Sequence, residues 1–286
     1  VQVGKAPIGL RYYSPTPALR GVISSYYLFH ADLPFCADSM RADLPQLRFI
    51  IKGKAWYDLP DHGITPAPDV NLLGPTYTST NFQGLGPLLV LGAGIQPAGW
   101  AAMVNEDASQ YTRSVIDAVD IFGGVLADGL DAMRHHTSSN AIISIADRVF
   151  QTLFSRAQEP PVWFTRLTEH WLSGELSPEV DKLIAASGMS GRQVERLTKR
   201  IYGAPPKLLA RKYRALKAAS TLAAQGTSWK DVAEDAFFDQ SHFIREFKQF
   251  IGVTPTQLIH SPSPLTRLTF QRRKLVDTLP DLLLRT

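Results

Sequence analysis

Ser177-Pro178-Glu179-Val180-Asp181-Lys182-Leu183-Ile184-Ala185-Ala186-Ser187-Gly188-Met189-Ser190-Gly191-Arg192-Gln193-Val194-Glu195-Arg196-Leu197 reads as one helix-turn-helix unit. Ser177 is placed to cap a helix whose first position is Pro178, where a missing N–H costs nothing. Val180, Leu183 and Ile184 follow the spacing of a buried helical stripe. Gly188 supplies the left-handed residue that ends the helix. Ser190 caps a second helix with Val194, Leu197 and Ile201 inward, and Arg192, Glu195, Arg196 and Lys199 are left on its outer side.

The same grammar returns downstream. Ser228 caps a short helix containing Val232 and Ala233, a turn passes through Ala236-Phe237-Phe238-Asp239, and a second exposed helix begins at Gln240. Phe243, Phe247 and Phe250 or Ile251 form its apolar stripe. Gln240, Ser241, Ile244, Arg245 and Lys248 lie toward the other side. Arg196 and Arg245 hold equivalent places, 49 residues apart. Pro206 to about Ala224 reads as one connecting helix. At 1.5 Å per residue it spans roughly 28 Å, near the ~34 Å between successive major-groove segments on one face of B-DNA.

These residues carry a resemblance. Ser190-x-x-x-Val194-x-Arg196-Leu197-x-Lys199, then Gly203-x-Pro205, Tyr213-Arg214-x-x-Lys217-Ala218, Phe237-x-Asp239-Gln240-Ser241-His242-Phe243-x-Arg245-x-Phe247-Lys248 and Gly252-Val253-Thr254-Pro255 occur in order. The stretch resembles the DNA-binding domain of the AraC-type (AraC/XylS) transcriptional regulators. That resemblance implies double-stranded DNA as partner, the second helix of each unit in the major groove, and RNA polymerase as a further partner. Base contacts are expected from Arg192, Glu195, Arg196, Gln240, Ser241 and Arg245, and phosphate contacts from Ser190, Lys199, Arg200 and Lys248. Four positions depart from the family pattern: Ala236 where a glycine is usual, Glu195 on the reading face, and Leu258 and His260 after the closing proline. An acid at Glu195 is repelled by phosphate yet can accept from cytosine N4.

Charge follows the same division. The formal net charge is +4, but residues 1–159 hold 11 basic against 14 acidic side chains and residues 160–286 hold 19 against 12. Within 180–217 the count is 10 to 2, which favours a polyanion for the C-terminal part. Cys36 is the single cysteine, so neither an internal disulfide nor a thiolate cluster is available. No apolar run reaches membrane length, and Val1-Gln2-Val3-Gly4-Lys5 lacks a signal pattern. A cytoplasmic protein without membrane contact is expected.

Residues 1–112 are rich in Pro, Gly and aromatics, with strand-like runs at Gly21 to Phe29, Gln46 to Ile51, Ala55 to Leu59, Val70 to Leu73, Tyr77 to Phe82 and Leu88 to Ile95. Their lengths and punctuation suggest a small β-barrel or sandwich. Leu44-Pro45, Phe49-Ile50-Ile51, Leu73-Gly74-Pro75 and Gly94-Ile95-Gln96-Pro97 are similar to the cupin-like sensor halves of some such regulators. Two amphipathic helices follow, around Val125 to Met133 and Ile142 to Leu153, the second capped by Ser139 or Asn140. They either close the barrel core or carry a homodimer contact. The expected class is α+β, divided as 1–158 (effector sensing and dimerisation), 159–262 (double helix-turn-helix) and a tail, 263–286.

Catalytic and metal chemistry find no support. The seven histidines are scattered, and Asp131 with His135 is an isolated helical pair. Gly92-Ala93-Gly94 starts like a dinucleotide fingerprint but meets Pro97 instead of opening a helix, and Gly53-Lys54 lacks a phosphate loop; both are read as turns. No cofactor is expected. Phe49, Trp56, Tyr57, Tyr77 and Trp100 are candidates to line a pocket for a small-molecule effector, against an alternative as plain core. The leading reading is a ligand-responsive transcriptional regulator. An architectural DNA binder, or a barrel enzyme or carrier whose helical part only assembles, remains open.

Overall fold

The computed structural model describes residues 6–270, apart from 105, 158, 160, 226–231, 233–236 and 238. Eight strands come first: β1 (Ile8–Tyr13), β2 (Ile23–Ala31), β3 (Phe35–Met40), β4 (Gln46–Leu59), β5 (Gly63–Pro66), β6 (Val70–Leu73), β7 (Thr80–Ile95) and β8 (Val115–Asp117). All pairings are antiparallel, along the path β1-β2-β7-β4-β6-β8, with β3 also on β7 and β5 on β4. Among the described residues β1 and β8 remain the two ends of the path. The expected barrel is thus a sheet folded across its two long strands, without a closed ring of hydrogen bonds.

The bend sits where β4 slips register between Ile50 and Lys54, opposite Leu85 and Leu89 of β7. Gly53 has a left-handed φ of 84° there. Gly53-Lys54 is therefore a bulge inside one strand rather than a turn between two. Each long strand changes partners across this bend: β7 pairs with β3 before it and β2 after it.

Strand alternation gives the sheet two apolar faces. On one, Tyr26, Leu28, Leu47, Phe49, Leu91 and Ile95 pack against helices α1 (Pro97–Met103), α3 (Val125–Arg134) and α4 (Ser139–Ser155). A short α2 (Ala118–Phe122) lies between α1 and α3. Pro97 does open a helix, as its first residue, so the proline after Gly92-Ala93-Gly94 is a start signal and the glycines lie within β7. The cap of α4 is Ser138, one residue before the expected positions. Its apolar stripe and that of α3 are spent on this core.

The C-terminal half comprises α5 (Val162–Gly174), α6 (Val180–Ser187), α7 (Gly191–Tyr202), α8 (Pro206–Gln225), α9 (Gln240–Ile251) and α10 (Pro255–His260). The cap of α6 is Glu179, not Ser177. The Ser177 hydroxyl instead accepts a hydrogen bond from Arg214 Nη1 at 3.1 Å. The short helix expected between Ser228 and Ala233, and Ala236 in its turn, lie largely outside the described residues. Phe164, Leu183, Val194, Leu209, Phe243, Phe247 and Phe250 share one core with Tyr77 and Ala42 of the first half.

A last helix, α11 (Pro264–Thr269), leaves this bundle and returns to the sheet. Leu265 is 7% exposed and joins the apolar face that carries Phe29, Tyr57, Phe82 and Val90. Its backbone N–H donates to Asp38 Oδ2 at 3.0 Å. The start of the tail, 263–270, thus packs with the N-terminal half, because its apolar residues find the one sheet face that α1, α3 and α4 do not cover.

Candidate nucleic-acid interface and the cavity behind it

α7 begins with a reciprocal cap. Gln193 N–H donates to Ser190 Oγ, and Ser190 N–H donates to Gln193 Oε1 at 2.9 Å. Val194, Thr198, Ile201 and Tyr202 are buried, which rolls Arg192, Glu195, Arg196 and Arg200 to the exposed side. Lys199 Nζ lies 2.7 Å from Glu195 Oε1, both about half exposed. The acid on the reading face is therefore accompanied by its own cation one turn away. Ser190, Arg192, Gln193, Glu195, Arg196 and Lys199 border one open concavity of about 520 Å³.

α9 is built alike. Asp239 caps it by accepting from His242 N–H at 2.7 Å. Phe243, Glu246, Phe247, Phe250 and Ile251 are buried, while Gln240, Ser241, Arg245 and Lys248 are exposed. The buried acid is explained by its neighbours. The Glu246 carboxylate receives Arg211 Nε and Arg214 Nη2, the latter at 2.6 Å, and Arg214 stacks over the Phe237 ring at 4.5 Å. Burial by itself pushes the Glu246 carboxyl upward, but the two guanidinium groups together overcome it and hold the carboxyl below its ordinary range. His242 Nε2 faces the same carboxylate at 3.4 Å, so this imidazole belongs to the support of the helix.

Both cationic helices end on the first half. Gly203 and Gly252, their C-terminal caps, have φ of 83° and 90°. A Cβ at Gly203 would come within 2.6 Å of Pro75, and one at Gly252 within 2.8 Å of Ser79. Around them, Tyr77 Oη donates to Tyr202 O at 2.6 Å, Ala42 N to Phe250 O at 2.7 Å, and Ser79 N to Gln249 O at 2.9 Å. Lys212 of α8 is 2% exposed and donates to Asp43 O at 2.6 Å. Burial depresses its pKa to about 8, against the opposing pull of Asp43.

The segments that receive these helix ends also wall a cavity of about 100 Å³ on the open face of the sheet. Its wall includes Asp43, Thr76 and Ile251 on one side and α11 on another. Of the five aromatics expected there, only Tyr57 lines it. Phe49 and Trp100 are fully buried on the opposite face, and Tyr77 is in the helical core. Trp56 neighbours Tyr57 in β4, so strand alternation turns it the other way. The polar lining missed in the sequence includes Ser25, Tyr27, Gln46 and Arg48. The available signal was a polar residue at the inward parity of β4, Gln46-x-Arg48, inside an otherwise apolar run.

No group of three or more His, Cys, Asp or Glu suited to a metal occurs among the described residues. None of their helices is long and apolar enough to cross a membrane. No curated protein matches the sequence. Among solved structures, apo ToxT from Vibrio cholerae strain SCE256 is 12% identical, covering 90% of this chain and 98% of its own, with a TM-score of 0.45. ToxT of that strain with an unsaturated fatty acid bound is also 12% identical, covering 91% and 97%, with a TM-score of 0.43. The AraC-like transcriptional activator CuxR is 12% identical over 74% and 86%, with a TM-score of 0.31. The family profile described as a helix-turn-helix domain matches residues 183–261, the span from α6 through both cationic helices to α10. The C-terminal part of the chain, residues 183–261, is therefore a helix-turn-helix domain.

Proposed function

We propose that the chain is a sequence-specific DNA-binding transcriptional regulator whose affinity for DNA is set by a small molecule in the sheet-lined cavity. The observation that carries the DNA half is the matched exposure of Arg192 and Arg196 on α7 with Gln240, Ser241 and Arg245 on α9. Each set sits on a capped helix whose opposite face is buried. Exposed guanidinium and amide groups on such helices suit guanine O6/N7 and adenine N6/N7 in the major groove. Arg200 and Lys248, near the helix ends, suit phosphates that set register. Ser190 has its hydroxyl engaged in the cap, so its share is that of a positioning residue, and Lys199 divides its charge between Glu195 and the duplex.

The effector half is supported by the shared wall. A ligand that moves 39–44 or 76–80 moves the seats of Gly252 and the end of α9 with them. Coupling requires that the ligand prefer one arrangement of these seats, and the preference then appears reciprocally in DNA affinity. RNA polymerase as partner rests on the family resemblance. A homodimer would use the outer faces of α3 and α4. The test is titration of the full chain against duplexes selected from random sequence and against scrambled versions. At physiological salt a regulator of this kind is expected to favour the selected duplex at least a hundredfold. Equal affinity for both refutes sequence-specific regulation.

A further inference from the structure

We propose that the cavity takes a small organic anion, a carboxylate on an apolar body, with Arg48 as its anchor and α11 as its seal. This rests on reading the cavity as the effector site and names the class of effector.

Arg48 is 7% exposed, and its partners are all uncharged. Nε donates to Tyr27 Oη and Nη1 to Tyr57 Oη, both at 2.7 Å, while the nearest partner of Nη2 is the Met40 sulfur at 3.2 Å. The guanidinium also lies over the Tyr57 ring at 5.3 Å. Among the described residues no carboxylate is within ion-pair distance. An arginine keeps its charge under any such burial, and a buried cation without an anion is strongly unfavourable.

The surroundings point to the same use. Gly92 stands between Tyr27 and Arg48 in the cross-strand row, and a Cβ there would fall 2.0 Å from the Tyr27 ring. The strand is kept bare so that the phenol can reach the guanidinium. One step along the same face, Ser25 Oγ is buried without a hydrogen-bond partner and lines the cavity; Gln46 Oε1 is likewise unpartnered there, but it accepts only and calls for a donor. Ser25 is a further donor for a carboxylate. The single acid on the wall, Asp43, accepts Leu44 N–H at 2.8 Å, and Arg41 shares the wall with it. The lining thus carries one more positive than negative charge.

Phe29, Phe82, Leu88, Val90 and, from α11, Leu265 supply an apolar stretch of the wall, which also carries the hydroxyls of Ser39 and four threonines. With about 10–15 Å³ needed per water position, a volume of about 100 Å³ accommodates roughly seven to ten non-hydrogen atoms. Leu265, Thr266, Thr269 and Phe270 close it, and Arg41 lies 4.8 Å from the Phe270 ring. Entry of a ligand therefore displaces α11, the element that directly follows the DNA-binding helices.

The experiment is calorimetric titration of the full chain with octanoate and with octan-1-ol, which share a tail and differ in charge. Octanoate is expected to bind at least tenfold tighter than the alcohol, and Arg48→Met to abolish that preference. Equal affinity for the two, no binding of octanoate, or undiminished octanoate binding by a folded Arg48→Met overturns the assignment. Should Arg48→Met fail to fold, the wild-type comparison decides, with Ser25→Ala expected to weaken octanoate alone. Octanoate binding that leaves affinity for the selected duplex unchanged would uphold the site and refute its regulatory role. A different metabolite shifting DNA affinity while octanoate fails to bind would refute the anion and uphold the regulator.

Discussion

Glu246 is 3% exposed on the inner side of α9, beneath a helix whose outer side carries Arg245 and Lys248. It is tolerated because Arg211 and Arg214 of α8 meet it from one side and His242 from another. Changing Glu246 to Gln leaves the buried Arg214 without its counter-ion, and an expected loss of about 2–4 kcal/mol would be read from urea denaturation. Because the folded carboxyl titrates below its ordinary value, its stabilisation is fully present above the unfolded pKa. It is lost as pH falls through the folded one. The wild type is therefore expected to weaken in acid more steeply than Glu246→Gln. On the reading face, Arg196→Ala should lose about 1–3 kcal/mol of specific binding and relax preference at the bases it contacts. Glu195→Ala should raise affinity for duplexes in general, since it removes a phosphate-repelling charge and releases Lys199, while weakening preference for any cytosine whose N4 the carboxylate accepts from. Both effects are measurable by titration over a range of salt.

Among the helices, those of the second half were the most legible. The Ser190 cap, the Pro206 start and the aromatic spacing after Gln240 placed α7, α8 and α9 within a residue or two. The start of α6 was not, because Ser177 is claimed by Arg214, a partner 37 positions away that no local pattern reveals. In the sheet half, Gly and Pro marked breaks correctly but not their kind. Lys52-Gly53-Lys54 bends one strand where two were expected, and β1 and β3 carry too little alternation to stand out. The exposed cationic faces of α7 and α9 could be read from residue order; the cavity could not. Its lining is assembled from five or more strands and α11, and Arg48 gains meaning only when Tyr27 and Tyr57 arrive across the fold. Leu265 sets the prediction for α11. Leu265→Ala should cost about 2–3 kcal/mol if the helix is part of the core. It should also speed both entry and release of octanoate in stopped-flow measurements, with stability loss alone counting against the seal.

Across the molecule, the two halves meet through polar seats rather than an apolar face alone: Tyr77 to Tyr202, Ala42 to Phe250, and Lys212 to Asp43. Lys212 makes that junction sensitive to alkaline pH. Its folded pKa of about 8 lies below the ordinary lysine value of 10.5, so the unfolded chain binds more protons between those limits. Stability should therefore rise with pH from about 8 to about 10.5 by an amount on the order of 3 kcal/mol. Lys212→Met should flatten the rise in thermal melts taken across that window.

What joins these observations is the proposed arrangement: two capped, cationic helices on one duplex, with the end of α9 seated on the wall of the cavity and the end of α7 beside it. Base-resolution footprinting of sequences selected by the full chain examines this arrangement without intermediaries. The expected pattern is two protected blocks about one helical turn, roughly 10 base pairs, apart. Arg196→Ala should erase preference in one block and Arg245→Ala in the other. A single block, or two blocks that respond identically to both substitutions, would contradict it.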